Sequence, residues 1–495
     1  MHGITLIALV VTIVVLLILA GITISLVFSE NGIIAKAREA AEKTNQATIN
    51  EQEEMNKVAD YMSNMLNGIG GGNTTPDNPA SLPSDGSYSE NKGVNTPNIG
   101  TGMTPIKWNG SAWVETTGDD EEWYDYSTKK WANAVVGGGF NEDGTLNQSS
   151  NYSMFVWIPR YAYRITSGYH RSGADLNSTT PAEGAGTIEV EFMKGTSNES
   201  ATGRTSFDNA SGQENWNIHP AFEYGSTVSG IWVAKFEASS VEGNSDTAEG
   251  DNVTTKTLQV KPGVASWRYI YISNMYDVCL NYNRALNSHL VKNDEWGAVA
   301  YLSKSKYGKE TEEVWINNSS SYITGSAGSS ASAETDVGTT NDYTSTQGVK
   351  ASTTGTVYGV YDMSGGSWEF VAAYVDNSND NLTTYGSSLI NGDAKTKNVY
   401  TMGSGDTRLA NYNANANKYG DAVYETSSGT YNASGDSNTQ SWYADYSNFP
   451  YSTNSFFSRG GTYSGTTTVG VFFFSNGSGI AIAGGVSFRP VLVVL

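Results

Sequence analysis

The chain opens on its longest hydrophobic run. From Ile4 to Phe28 no residue carries a charge, and at about 1.5 Å rise per residue such a stretch makes about 37 Å of helix. A bilayer core about 30 Å thick takes about 20 apolar residues, so the pattern predicts a membrane-inserted helix. Ser29-Glu30-Asn31-Gly32 interrupts it, because Asn-Gly favours a turn. From Ile33 to Leu66 the pattern changes to Ala, Glu, Lys and Gln. There Met55, Val58, Met62 and Leu66 recur at helical spacing, which predicts an amphipathic stalk helix. Periodicity is then lost from Gly68 to about Thr104, a stretch holding Gly70-Gly71-Gly72, Pro79, Pro83, Asp85-Gly86 and Pro97. This composition predicts a flexible spacer.

The reading therefore divides the chain into a helix over 1–66, a linker over 67–104 and a globular head over 105–495. In the head, Met154 to Ile165 is aromatic and β-branched, and Pro159 marks a bend or an edge. Gly230 to Glu237 alternates as a strand does. Helices are few. Ile272 to Leu280 is one, and Asn293 to Tyr307 is another, with Asp294 as its cap and Trp296, Val299, Ala300 and Leu302 as its apolar face. Residues 318–356, rich in Ser, Thr and Gly, predict a surface excursion. Residues 376–455, rich in Asn, Tyr, Ser, Asp and Gly, predict a long loop-dominated insertion. The apolar end, Val486 to Leu495, predicts a final buried strand.

Charge and composition narrow the function classes. Lys plus Arg is 29 and Asp plus Glu is 50, a net charge of −21, which argues against a nucleic-acid partner. Cys279 is the sole cysteine, so the chain can form no internal disulfide and no cysteine-based zinc site. The four histidines, His2, His170, His219 and His289, are isolated from one another. His219-Pro220 sits in a loop before a strand and reads as structural. Tyr, Trp, Gly, Ser and Asn abound while charged residues make up 16%; this suits rigid aromatic contacts on a loop-rich frame.

Two resemblances add to this. Gly3-Ile4-Thr5-Leu6-Ile7-Ala8-Leu9 resembles the prepilin-peptidase site of type IV pilin-like proteins. That resemblance implies cleavage after Gly3, a mature chain beginning at Ile4, other pilin-like subunits as partners, and a bacterial cell-surface location with the head outside. Two positions depart from it: the leader Met1-His2-Gly3 lacks a lysine or arginine, and Ala8 stands where pilins usually carry glutamate.

The second resemblance rests on motifs in a set order. They are Glu295-Trp296 opening a helix, Gly359-Val360-Tyr361-Asp362-Met363-Ser364-Gly365-Gly366-Ser367-Trp368-Glu369-Phe370, Arg459-Gly460-Gly461-Thr462, and Ser487-Phe488-Arg489-Pro490. Together, over residues 220–495, they resemble the formylglycine-generating-enzyme-like branch of the C-type lectin fold. Gly366, Phe370 and Ser487 replace that family's usual asparagine, tryptophan and glycine. The resulting fold expectation is α+β: a long N-terminal transmembrane and stalk helix, then a loop-rich C-type-lectin-like head with short strands and few helices.

The resemblance implies a structural Ca²⁺ held by Asp362 and Glu369 with the carbonyls of Gly365 and Ser367, a hard-oxygen set that suits this ion. The alternative is that Asp362 caps the turn and Glu369 pairs with Arg459 or Arg489. The positions of the family's catalytic cysteines read Gly465 and Gly470, so the expectation is a non-enzyme.

Members of this family that lack the catalytic groups serve as binding scaffolds, some of them variable proteins diversified by retroelements. Residues 462–487 use only Thr, Tyr, Ser, Gly, Val, Phe, Asn, Ile and Ala, all encodable by codons that end in C, as randomised AAC codons do. The plain alternative is a buried strand-and-turn segment. The binding reading makes Tyr463, Thr466, Thr467, Thr468, Phe473, Ser475, Ser478, Ile480 and Ile482 face outward and touch a protein or glycan ligand, a surface-displayed adhesin or receptor. The competing readings are a minor pilin or pseudopilin of a filament and, with its cysteines missing, a formylglycine-generating-type oxidase.

Overall fold

The computed structural model describes residues 84–170, 185–245, 247–335, 341–427, 438–439, 441–480 and 484–495. Ser81–Leu495 is one compact unit. Residues 84–104, assigned above to the linker, belong to it. Tyr88–Ser89 pairs with Val94–Asn95, and Val94 and Asn95 are fully buried. Asn95 explains why: its amide donates to the Ser229 carbonyl at 2.8 Å and its oxygen accepts from the Gly195 N–H at 2.7 Å. A polar stretch is thus packed by side-chain hydrogen bonds that periodicity does not register.

A seven-stranded antiparallel sheet runs in the order His289–Leu290, Pro490–Leu492, Gly230–Ala234, Tyr152–Pro159, Asn133–Gly137, Met103–Trp108, Trp113–Glu115. Tyr152–Pro159 lies at its centre with every residue buried, which is why this strand reads as a continuous apolar run without alternation. Pro159 ends it, and the chain resumes as Tyr161–Ser167 in a separate three-stranded sheet with Thr187–Phe192 and Asn217–Ile218. The last strand of the chain, Pro490–Leu492, is inserted between Gly230–Ala234 and His289–Leu290, so the C-terminal segment completes a sheet built from the first half of the fold.

A second large sheet carries the C-terminal half. Its order is Asn398–Thr401, Trp368–Asp376, Phe456–Arg459, Phe474–Gly477, Tyr446–Ser447, Asn438–Thr439, with Val486–Ser487 running parallel beside Trp368 and Glu369. Helix Asn293–Lys304 is buried along its whole length. The Glu295 carboxylate accepts from the Lys292 N–H at 2.8 Å and closes its N-terminus; Asp294 lies inside the first turn and is not its cap. A Cβ on Gly297 would stand 1.9 Å from the Gly420 carbonyl, so glycine lets the backbone of 420–421 lie against this helix.

The fold expectation needs correction. The described chain is mainly strands and loops. Its longest helices are Asn293–Lys304 and Asp380–Asn391, 12 residues each, and among the described residues no helix is long and apolar enough to cross a membrane. The apolar run from Ile4, the stalk and the processing positions Gly3 and Ile4 lie outside the described residues.

Two polar stretches also differ from expectation. Asp380–Asn391 and Arg408–Ala414 are helices within the supposed loop of 376–455. Asn379 caps the first through its side chain, Thr407 the second, and Leu382 and Leu389 pack inward. Within 318–356, Thr324, Ser326, Ser352, Thr353 and Thr354 are buried, not surface residues. Thr324 shows how: its hydroxyl donates to the Lys261 carbonyl at 2.6 Å.

Candidate functional site

The site begins at the Gly365-Gly366 turn. Both glycines have positive φ, 74° and 71°, the left-handed region that a Cβ disfavours. The turn feeds strand Trp368–Asp376 into the second sheet, where Phe370 lies opposite Ser458, and Ser458 opposite Ser475. Directly opposed residues share a face of a sheet, so these three side chains form one row across three strands. Because side chains alternate along a strand, Phe473 and Gly477 fall on the same face as Ser475.

That face is the floor of a cavity of about 480 Å³, inside the range of about 300–1,000 Å³ usual for small-ligand sites. Trp368, Tyr446, Phe473, Ile480 and Val486 wall it, and Asn454, Thr462, Thr468, Asn476 and Ser478 supply polar groups. Tyr446 stacks on Phe473 with centroids 5.7 Å apart and planes 21° from parallel. A Cβ at Gly477 would come within 2.7 Å of the Phe370 ring, so glycine there leaves the aromatic its place. None of the described residues that line it is charged, although the chain carries a net −21.

Of the nine residues assigned to ligand contact, Thr468, Phe473, Ser475, Ser478 and Ile480 line this cavity. Tyr463, Thr466 and Thr467 do not. Tyr463 is half-buried with its ring edge-on to Tyr322 at 4.9 Å, and Thr466 and Thr467 sit on a single 3₁₀ turn, Thr466–Thr468. Ile482 lies outside the described residues. Phe473 corrects the expectation of outward-facing side chains: it is 4% exposed, stacked on Tyr446 at the cavity wall. Trp368 is half-buried at the wall. Sequence reasoning passed over Phe370, Tyr446, Asn454 and Ser458 as ligand contacts; alternation along Trp368-Glu369-Phe370 was the one available signal for the first of these.

Beneath the turn lies a charged cluster, wholly buried. Arg489 donates through Nε to Glu369 Oε2 at 2.7 Å and through Nη2 to Glu369 Oε1. Asp362 accepts from Asn317 Nδ2 at 2.9 Å and from the Gly325 and Glu237 N–H groups. Glu237 accepts from the Ser367 N–H at 2.8 Å. Burial, then the nearby Glu369 and Asp362 charges, push the Glu237 carboxyl well above the usual carboxylate range. The donor set expected for Ca²⁺ does not fit that ion here. Both oxygens of Glu369 are engaged by a guanidinium, which puts a positive charge where a cation would have to sit. Glu369 instead takes the alternative role of ion-pair partner, to Arg489, whereas Asp362 accepts from Asn317, Gly325 and Glu237, none of them in the Gly365-Gly366 turn, whose Ser367 N–H is taken by Glu237. Among the described residues no group of three His, Cys, Asp or Glu side chains is arranged to hold a metal.

The remaining positions are accounted for locally. A Cβ on Gly465 would stand 2.1 Å from Val469 Cγ1, and one on Gly470 2.4 Å from both Asp445 carboxylate oxygens; neither position has room for a thiol. Cys279 is buried in helix Ile272–Tyr282. His219 is buried, and its Nδ1 accepts from the Ala221 N–H at 3.3 Å. A second cavity of about 480 Å³ runs along Thr187–Phe192. Its Glu191 is already paired with Arg204 at 3.0 Å, and it includes none of the residues assigned to ligand contact.

No protein-family model matches the chain, and no curated protein is significantly similar to it.

Proposed function

We propose that this protein is a ligand-binding protein, an adhesin or receptor, that grips its ligand non-covalently in the cavity between Trp368, Ser458, Phe473 and Ile480. The observation that carries the reading is convergence. The segment after Arg459-Gly460-Gly461, written in a nine-letter alphabet, shares one cavity with the strand that follows the Gly365-Gly366 turn. Aromatic walls supply contact area at small conformational cost, and neutral polar groups supply adaptable hydrogen bonds. The cavity sits on paired strands.

The test is to probe the full chain against printed glycans and surface proteins, beside Ser475→Trp, which fills the floor of the cavity. The expected result is a retained probe that Ser475→Trp loses while its thermal transition stays. A retained probe indifferent to Ser475→Trp moves recognition elsewhere and refutes the assignment.

A further inference from the structure

The chemistry of the lining says more about the ligand than that one exists. Resting on the ligand-binding reading above, we propose that the cavity takes a neutral saccharide and does so without a bridging cation.

The first argument is charge. A charged ligand group entering this cavity would lose hydration and meet no counter-charge among the described lining residues, of which only the phenol of Tyr446 is ionisable; an unpaired buried charge is strongly unfavourable. The bound portion is therefore neutral. For the same reason none of the described lining residues offers a carboxylate to hold a cation against a ligand.

The second argument is the state of the polar groups. The hydroxyls of Ser458, Ser475 and Ser478 and the amide of Asn454 make no side-chain hydrogen bond to any described residue. Ser458 is the telling one, because it is 5% exposed and still keeps its hydroxyl unpartnered at the floor. A hydrocarbon ligand would bury these groups unsatisfied, which is unfavourable. Hydroxyls and amides both donate and accept, as the hydroxyls of a sugar do, so the two sets match.

The third argument is shape. Sugar rings offer flat C–H faces between their hydroxyl edges. Trp368 on one side and the Tyr446–Phe473 stack on another offer aromatic faces to receive them. A peptide fits less well. Phe456–Arg459 is flanked by Trp368–Asp376 and Phe474–Gly477, so the floor strand has no open edge on which an extended peptide could add.

The experiment is a glycan array of neutral and of sialylated or sulfated oligosaccharides, with cell-surface proteins on the same slide, probed with the full chain in EDTA. Trp368→Ala and Ser458→Val are run alongside, and thermal unfolding confirms that each variant is folded. The expected result is retention on neutral oligosaccharides in EDTA, weakened at least tenfold by Trp368→Ala and several-fold by Ser458→Val. Retention only on acidic glycans or only on proteins, lost in the variants, overturns the saccharide and leaves the cavity standing as a ligand site. Retention that appears only when calcium replaces EDTA overturns the cation-free part. Retention indifferent to both variants overturns the cavity itself. Should Trp368→Ala fail to fold, Ser458→Val, which replaces the hydroxyl by methyl groups, decides alone.

Discussion

Replacing Arg489 by methionine is the sharpest test of how the turn beneath the cavity is held. Arg489 is wholly buried and donates to Glu369 twice, to the Ala234 carbonyl at 3.1 Å and to the Tyr361 carbonyl at 3.2 Å. Removing one partner of a buried ion pair costs about 3–5 kcal/mol. Arg489→Met should reach or pass the upper end, because three carboxyls depend on this one cation. Burial raises the Glu369 and Asp362 carboxyls above their ordinary range, with Arg489 opposing it, and raises Glu237 further. Glu369→Gln should cost less, since Asp362 and Glu237 still balance the guanidinium.

For a unit spanning Ser81–Leu495, unfolding entropy is about 0.9 kcal/mol per degree at the midpoint, so 3–5 kcal/mol lowers Tm by about 3–6 °C. The sign with pH follows from linkage. A carboxyl whose folded pKa stands above its unfolded value adds stability below the unfolded value, near pH 4, and loses it as pH rises through the folded value. Losing Arg489 raises all three carboxyls, so the deficit of Arg489→Met should widen from pH 5 to pH 8, while that of Glu369→Gln should not. Chemical unfolding of both variants at the two pH values measures this. A deficit under about 1 kcal/mol, or one equal at both pH values, would refute the account.

Three further outcomes are expected. Burial pushes the Glu425 carboxyl up to about 7, where it accepts from Tyr163, Tyr301 and the Gly420 N–H. Its contribution of about 3 kcal/mol should be present below pH 4.5, lost as pH passes 7, and absent in Glu425→Gln, as unfolding curves from pH 4 to 8 will show. Gly470→Ala drives a methyl into the Asp445 carboxylate and should lower stability by about 1–3 kcal/mol; an unchanged denaturant midpoint would mean that the two segments are not in contact. Asn379→Ala removes the side-chain cap of Asp380–Asn391 and should cost about 1 kcal/mol, with earlier loss of amide-exchange protection in that helix as the local readout.

How far the chain could be read without its fold depends on where the information is local. The buried strand Tyr152–Pro159, the helix Asn293–Lys304 and the final strand Pro490–Leu492 were legible because apolar spacing and the proline break act over neighbouring residues. So was the positive-φ turn at Gly365-Gly366, since only glycine supplies that backbone freely. Polar segments misled: Asp380–Asn391 and the packed residues 84–104 are held by caps and by distant carbonyls, which composition does not display.

The sequence by itself determined the alphabet of the C-terminal segment, the single cysteine and the ring of motifs from Glu295 to Pro490. Only the tertiary structure decided that Glu369 belongs to Arg489 and not to a cation, and that Phe370, Ser458 and Ser475 stand in one row. It alone brought Tyr446 and Asn454 to a cavity whose described lining carries no charge. The reason is strand register. Partners some 90 residues apart meet only when sheets pair, and a shift of one residue would turn every lining side chain to the other face.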